Sequence, residues 1–215
     1  PLVDQDSVEV FNEGHRLFHT PTVGMMACAS CHPEGGDDNH VWAFDTIGAR
    51  RTQSLRGGLL ATAPFHWDGD MNNLTTLMSQ VFSGRMSGPP LLPEQVEIMG
   101  RWLDGQASLP ASPSVDPQAV ERGKVLFNDS TVGCASCHNG KHYTNNQTAD
   151  VGTGKAFQVP SLIDLASRAP YLHTGCARTL RERFDPACGG GDRHGRTSQF
   201  AASQLDDLVA YLETL

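Results

Sequence analysis

The sequence predicts an all-α protein of two tandem helical domains, residues 1–108 and 115–215, joined by a linker at 109–114. The main observation is an internal repeat: GHRLFHTPTVGMMACASCH (14–32) aligns with GKVLFNDSTVGCASCH (123–138), with three residues inserted in the first copy. Apolar residues near the end of each half recur with the spacing of one helical face, whereas no segment alternates apolar and polar residues as a half-buried strand would. We therefore expect the same helical plan in each half.

The elements of each half are predicted in the same order. A short helix that ends at a glycine comes first, followed by CASCH, a long irregular region and a closing amphipathic helix. Asp116 and Pro117 form a favourable N-cap and first-turn pair for the opening helix of the second half. The closing helices are predicted at 93–105 and 203–215, where Val96, Met99, Trp102 and Leu103 align with Leu205, Leu208, Tyr211 and Leu212. Pro, Ser and Ala are frequent between the halves, as in a linker.

The composition indicates thin protein cores and a partner other than nucleic acid. Only 39% of the residues are hydrophobic, while glycine (22) and proline (13) are frequent, so we expect something besides side chains to fill each core. The net charge of −8 argues against a nucleic-acid-binding surface, which needs a basic stripe. No apolar run approaches the length that spans a bilayer. Because the chain begins with Pro1 and not with Met, we expect a processed protein or a part of a longer one with an upstream domain.

The pentapeptide CASCH occurs at 28–32 and again at 134–138. Two thiols separated by two residues lie about one helical turn apart, which suits attachment to the two vinyl groups of one haem, with the next histidine facing the iron. Two copies within a repeat favour c-type haem over a zinc site or a thioredoxin-like redox motif. The sequence therefore predicts two covalent haem c groups, anchored by Cys28, Cys31, Cys134 and Cys137, with His32 and His138 as proximal iron ligands.

The remaining cysteines, Cys176 and Cys188, are twelve residues apart. A disulfide between them is the simplest hypothesis, and two free buried thiols are the alternative. Covalent haem attachment and a disulfide both indicate an oxidising compartment, so a periplasmic or other extracytoplasmic location is predicted.

The sixth ligand of each iron separates a closed electron carrier from an open, reactive centre. When the closing helices are aligned, GRMSG (84–88) falls nearly opposite DRHGR (192–196), in Gly-rich loops just before those helices. We therefore predict Met86 as the distal ligand of the first haem and His194 as that of the second. Met78, His40, His66 and His173 stay open as alternatives, although Met78 has the helical spacing of a packing residue.

The chain resembles the di-haem cytochrome c peroxidases and their MauG-type relatives over nearly its whole length. The second half carries most of the resemblance, through RGKVLF (122–127), CASCHNG (134–140), VPSL (159–162), APYLHTG (169–175) and LDDLVAYLETL (205–215). The first half adds FHWDGDMNNLTTL (65–77), which is similar to an FWDGR-type segment of that family. The resemblance implies two cytochrome c-like domains whose haems face a shared interface, and it allows a calcium ion that bridges the halves.

The chain departs from that family where the family places its peroxide-reacting haem. DTIGARR (45–51) has Ala49 where the displaceable His of the family is expected, and MSQVFSGRMSG (78–88) has no clear counterpart of its acid/base Glu. A general acid/base contributes about 10²–10⁴-fold to catalysis. The predicted function is therefore electron transfer between redox protein donors and acceptors, and the alternative is a peroxidase or MauG-like oxidoreductase that reduces hydrogen peroxide.

Overall fold

The structure, a computed structural model, describes residues 5–110 and 116–215. Residues 1–4 and residues 111–114 of the predicted linker lie outside the described residues. The described residues within Pro1–His40 and Thr52–Ala107 form one compact unit, and those within Val41–Arg51 and Ser108–Leu215 form another. The predicted domain 1–108 includes residues 41–51, which the structure groups with the second unit.

The described residues form seven α-helices: α1 (Gln5–His19), α2 (Leu74–Leu77), α3 (Pro93–Asp104), α4 (Pro117–Asn128), α5 (Cys134–Cys137), α6 (Pro186–Gly189) and α7 (Ala202–Leu212). A π-helical segment, Met78–Arg85, directly follows α2. The predicted cap of α4 is confirmed, because the Asp116 side chain accepts a hydrogen bond from the backbone N–H of Gln118 at 2.9 Å. No helix among the described residues is both long and apolar enough to cross a membrane.

The prediction of a strictly all-α fold is wrong in part, because the second unit also contains four short strands. In the second unit β1 (Val41–Phe44) pairs antiparallel with β2 (Gly48–Arg51), and β3 (Thr148–Asp150) pairs antiparallel with β4 (Ala156–Gln158). These strands are only three or four residues long, and β1 is mostly exposed, so they lack the alternation that identifies a half-buried strand.

The core of the first unit lies where α1 packs against α3. Phe18, Met99 and Leu103 are almost completely buried there. Gly14 lies at the crossing of the two helices, where a Cβ atom would collide with the Cβ of Trp102. Glycine therefore permits the close approach of these helices.

The second unit repeats this arrangement with α4 and α7. Gly123 lies at the crossing, and a Cβ atom there would collide with the backbone carbonyl of Asp207. The irregular regions match as well, because Phe65 forms an isolated antiparallel bridge with Met71, and Tyr171 forms one with Ala177. The repeat seen in the sequence is thus also a repeat of helix packing and loop structure.

Candidate haem-binding sites

In the second unit the CASCH sequence forms a single helical turn. This turn is α5, and His138 is its C-terminal cap. Cys134 and Cys137 are free thiols, as attachment to a haem requires, and burial raises the pKa of the Cys134 thiol. The loop that carries His194 lies beside this turn, since a Cβ atom on Gly195 would be 3.6 Å from Cys134 Sγ.

His138 and His194 are both held by backbone carbonyl groups. His138 Nδ1 lies 3.0 Å from the carbonyl oxygen of Tyr143, and His194 Nδ1 lies 3.2 Å from that of Gly189. A carbonyl oxygen only accepts hydrogen bonds, so each Nδ1 carries the proton and donates it. In a neutral imidazole the lone pair is then on Nε2, the atom that can bind a metal.

The spacing of these two rings fits a single iron between them. A metal–imidazole bond is about 2.1 Å long and the ring nitrogen is about 1.1 Å from the ring centre, so two imidazoles on opposite sides of one metal have centroids about 6.4 Å apart. The ring centroids of His138 and His194 are 6.4 Å apart, and their planes differ by 33°. Burial lowers the pKa of His138 to about 4 and that of His194 well below its usual value, which keeps both rings neutral near pH 7.

Several contacts hold the loop that carries His194. The predicted disulfide between Cys176 and Cys188 is confirmed. Arg183 Nη2 donates to the carbonyl oxygen of His194; burial lowers the pKa of this guanidinium to about 10, so it is still charged at neutral pH. Sequence reasoning missed Arg183, because its role depends on a loop that folds back eleven residues later.

Asp192 closes the same loop from the other side. Its carboxylate accepts hydrogen bonds from the backbone N–H groups of Thr197 and Ser198 at 3.0 and 2.9 Å, and from Ser198 Oγ at 2.6 Å. The Ser198 hydroxyl is the main cause that lowers the pKa of Asp192. The backbone on both sides of His194 is therefore fixed by side chains that flank it.

The first unit places its CASCH sequence in a similar turn. Cys28–Ser30 forms a 3₁₀ turn, and His32 Nδ1 lies 3.3 Å from the carbonyl oxygen of Gly36. His32 thus has the same hydrogen bond as His138, which leaves Nε2 for a metal. Burial raises the pKa of the Cys28 thiol to about 11 and lowers the pKa of His32.

Met86 lies directly after the π-helical segment and beside the chain that leads into the first CASCH. Its carbonyl oxygen accepts a hydrogen bond from Thr22 Oγ1, and a Cβ atom on Gly24 would be 2.8 Å from that oxygen. In the second unit the loop of His194 also contacts the chain before CASCH, but there the loop is the donor: the Arg196 N–H donates to the Val132 carbonyl oxygen at 2.9 Å. The loops of Met86 and His194 therefore occupy corresponding places in the two units.

The other candidate ligands make different contacts. Met78 is 5% exposed within the apolar core of the first unit. His66 Nδ1 lies 3.2 Å from Asp70 Oδ1, the ring of His173 stacks on Phe157 with centroids 3.9 Å apart, and His40 is exposed. None of these contacts pairs a ring with His32 or His138.

Comparison with known proteins identifies the class first. The family model described as cytochrome c matches residues 120–215. Residues 120–215 are therefore a cytochrome c domain, and the chain is a redox protein that uses haem c and its iron.

Relatives extend the similarity to the rest of the chain. Hydrazine synthase subunit gamma of Kuenenia stuttgartiensis is 28% identical, over 89% of this chain and 72% of that protein. The methylamine utilization protein MauG of Methylorubrum extorquens is 32% identical, over 45% of this chain and 34% of that protein. A crystal structure of a MauG-like protein associated with microbial copper homeostasis has the same fold, with a TM-score of 0.75 at 18% identity, over 100% of this chain and 92% of that one. The chain is therefore similar to the MauG-like di-haem cytochrome c peroxidases.

Proposed function

We propose that the protein binds one haem c in each unit and transfers electrons between redox proteins in an extracytoplasmic compartment. The observation that carries this proposal is the 6.4 Å separation of the His138 and His194 ring centroids, which would allow both residues to hold one haem iron. When bound, haem supplies the one-electron couple of its iron. An iron held by two protein ligands would exchange electrons but would offer no position to a substrate.

The residues of each unit have defined tasks in this proposal. The two cysteines of each CASCH would anchor the porphyrin, and His32 and His138 would bind the iron. His194 would be the second protein ligand of the haem iron in the second unit, where two histidine ligands would give a low potential. Met86 would be the second protein ligand in the first unit, where a thioether would raise the potential. The backbone hydrogen bonds to the histidine Nδ1 atoms fix the ring orientations.

The second candidate function is reduction of hydrogen peroxide, and similarity to the MauG-like di-haem cytochrome c peroxidases favours it. Met86 follows a π-helical segment, and such segments are frequent at functional sites, so the first iron is the one that could open. The polar residues of that segment, Ser79, Gln80, Ser83 and Arg85, include no carboxylate. Without a general acid/base, cleavage of the peroxide bond loses about 10²–10⁴-fold in rate, and electron transfer remains the preferred function.

Electron paramagnetic resonance on the half-reduced protein separates the two functions. One electron equivalent is added to the fully oxidised protein, a spectrum is recorded, and hydrogen peroxide is then added. Electron transfer predicts only low-spin ferric signals that peroxide does not change. A high-spin ferric signal that peroxide abolishes would show an open iron and would replace electron transfer by peroxidase activity as the function.

A further inference from the structure

We propose that His15, His19 and Glu34 in the first unit bind a divalent first-row transition ion, at a site separate from the haem iron. Each residue contributes one ligand atom, and the three atoms lie within 4.8 Å of one another. Two imidazoles and one carboxylate form a donor set that binds zinc and other first-row divalent ions in proteins.

The local fold brings these residues together from two elements. His15 and His19 are four residues apart near the end of α1, so they lie on the same side of the helix, and their rings stack with centroids 3.9 Å apart. Glu34 lies in the 3₁₀ turn Pro33–Gly35 that follows the first CASCH, with a φ of 47°. That left-handed conformation is uncommon for a residue with a Cβ atom and is concentrated at functional sites.

The hydrogen bonds of His19 leave a lone pair facing a carboxylate. His19 Nδ1 lies 2.9 Å from the His15 carbonyl oxygen, which can only accept, so Nδ1 carries a proton. His19 Nε2 lies 2.9 Å from Glu34 Oε1. In a neutral ring Nε2 and Oε1 are both acceptors and repel each other, so a cation must lie between them: either a second proton on the ring or a metal ion shared with His15.

The 2.9 Å distance fits a hydrogen bond as well as a metal ion, and the convergence of three ligand atoms is what points to the metal ion. With metal–ligand bonds of about 2.1 Å, neighbouring ligand atoms around an octahedral ion are about 3 Å apart, close to the 2.9 Å between His19 Nε2 and Glu34 Oε1. Buried Trp102 packs edge-on against both imidazole rings, and its ring centroid is 5.8 Å from that of His15 and 6.1 Å from that of His19. This packing restricts the rings before an ion arrives, which reduces the entropy lost on binding.

The cluster is open to solvent on one side. The side chains of His19 and Glu34 are 29% and 59% exposed. An ion can therefore enter without unfolding, and water can complete its coordination. Since Glu34 is two residues after His32, a bound ion would tie α1 to the segment that carries the predicted proximal ligand of the first haem.

The test is binding of Zn²⁺ to the haem-loaded, full-length protein by isothermal titration calorimetry. We expect one Zn²⁺ ion per chain, and binding at least tenfold weaker in His19→Ala and in Glu34→Gln, because even the partners of metal ligands are worth about 10–100-fold in affinity. His142→Ala and Glu97→Gln are the controls: they make the same changes at positions outside the cluster and should leave the affinity for Zn²⁺ unchanged. Extended X-ray absorption of the zinc-loaded protein should show nitrogen and oxygen ligands, with fewer imidazoles in His19→Ala.

The haem absorption spectrum of each variant verifies that the protein is folded, and Glu34→Gln keeps the shape of the side chain. The proposal would be overturned if the wild type does not bind Zn²⁺, or if both cluster variants bind Zn²⁺ as strongly as the wild type does. A loss of thermal stability in Glu34→Gln together with no response of the wild type to Zn²⁺ would also overturn it, because that result identifies the pair as a protonated His19 bound to Glu34.

Discussion

Three histidines share one hydrogen-bonding arrangement at the scale of single residues. The Nδ1 atoms of His32, His138 and His194 lie 3.3, 3.0 and 3.2 Å from backbone carbonyl oxygens. Each bond fixes the tautomer and the ring orientation, and it makes Nε2 a better ligand. The same bond on both His138 and His194 is expected for two ligands of one iron.

Replacement of His194 tests the closure of the second iron. In His194→Ala we expect the second haem to become high-spin and its reduction potential to rise, because a histidine ligand that lowers the potential is removed. Electron paramagnetic resonance and spectroelectrochemical titration measure the two effects. His142→Ala is the matched control and should leave both unchanged; a second haem that stays low-spin without His194 would contradict the assignment.

Replacement of Met86 tests the first iron in the same way. Met86→Ala should make the first haem high-spin and lower its potential, since a thioether ligand raises the potential. Met78→Leu is the control, because Met78 lies in the apolar core and leucine conserves its volume. If Met78→Leu changes the haem spectrum and Met86→Ala does not, Met78 is the ligand and the prediction for Met86 is wrong.

At the scale of elements, the helix crossings depend on glycine. A Cβ atom on Gly123 would collide with a backbone carbonyl of α7, whereas one on Gly14 would collide with a side chain. We expect Gly123→Ala to lower the free energy of unfolding by about 1–3 kcal/mol through overpacking, despite a gain of about 1 kcal/mol in helix propensity. Guanidinium unfolding measures the change. Gly84→Ala is the control, because its nearest neighbour would be Ser79 O at 3.5 Å; an equal effect in both variants would refute the crossing argument.

The contact between α4 and α7 also predicts a pH dependence. Arg122 binds Asp207 through two hydrogen bonds of 2.8 and 2.6 Å, and these bonds lower the pKa of Asp207. Because the folded pKa lies below the unfolded value of about 3.9, the pair stabilises the protein above that pH and loses its effect as the pH falls through the folded pKa.

Asp207→Asn should therefore reduce the thermal midpoint slightly at pH 7, and the difference from wild type should disappear near about pH 2. Thermal melts at several pH values measure it. Glu121→Gln, an exposed change on the same helix α4, should give no such pH-dependent difference. A difference between Asp207→Asn and wild type that persists in acid would show that packing, and not charge, explains the loss.

Local signals predicted most elements, and long-range contacts account for what was missed. The sequence predicts α3 at 93–105 and the structure has Pro93–Asp104, while the Asp116 cap appears as predicted. The hairpin of β1 and β2 has no alternation of apolar and polar residues that would predict it. Its grouping with the second unit depends on contacts such as the hydrogen bond from the Arg51 N–H to the His173 carbonyl oxygen at 2.7 Å. His194 could be proposed from the repeat, but only the folded chain brings its ring to 6.4 Å from that of His138.

At the scale of the whole molecule, two units with separate apolar cores imply that each can hold its own haem. If so, the wild type carries two haems per chain, and the double variant Cys28→Ser/Cys31→Ser carries one, because the anchors of the second unit are untouched. A pyridine haemochrome assay and the mass of the intact chain both count covalent haem. Cys176→Ser/Cys188→Ser is the matched control: it also removes two cysteines, at a cost of about 3 kcal/mol in stability for a loop of this length, and should retain both haems. A wild type with one haem would refute the two-haem proposal, and a variant with none would show that attachment in the second unit depends on the first.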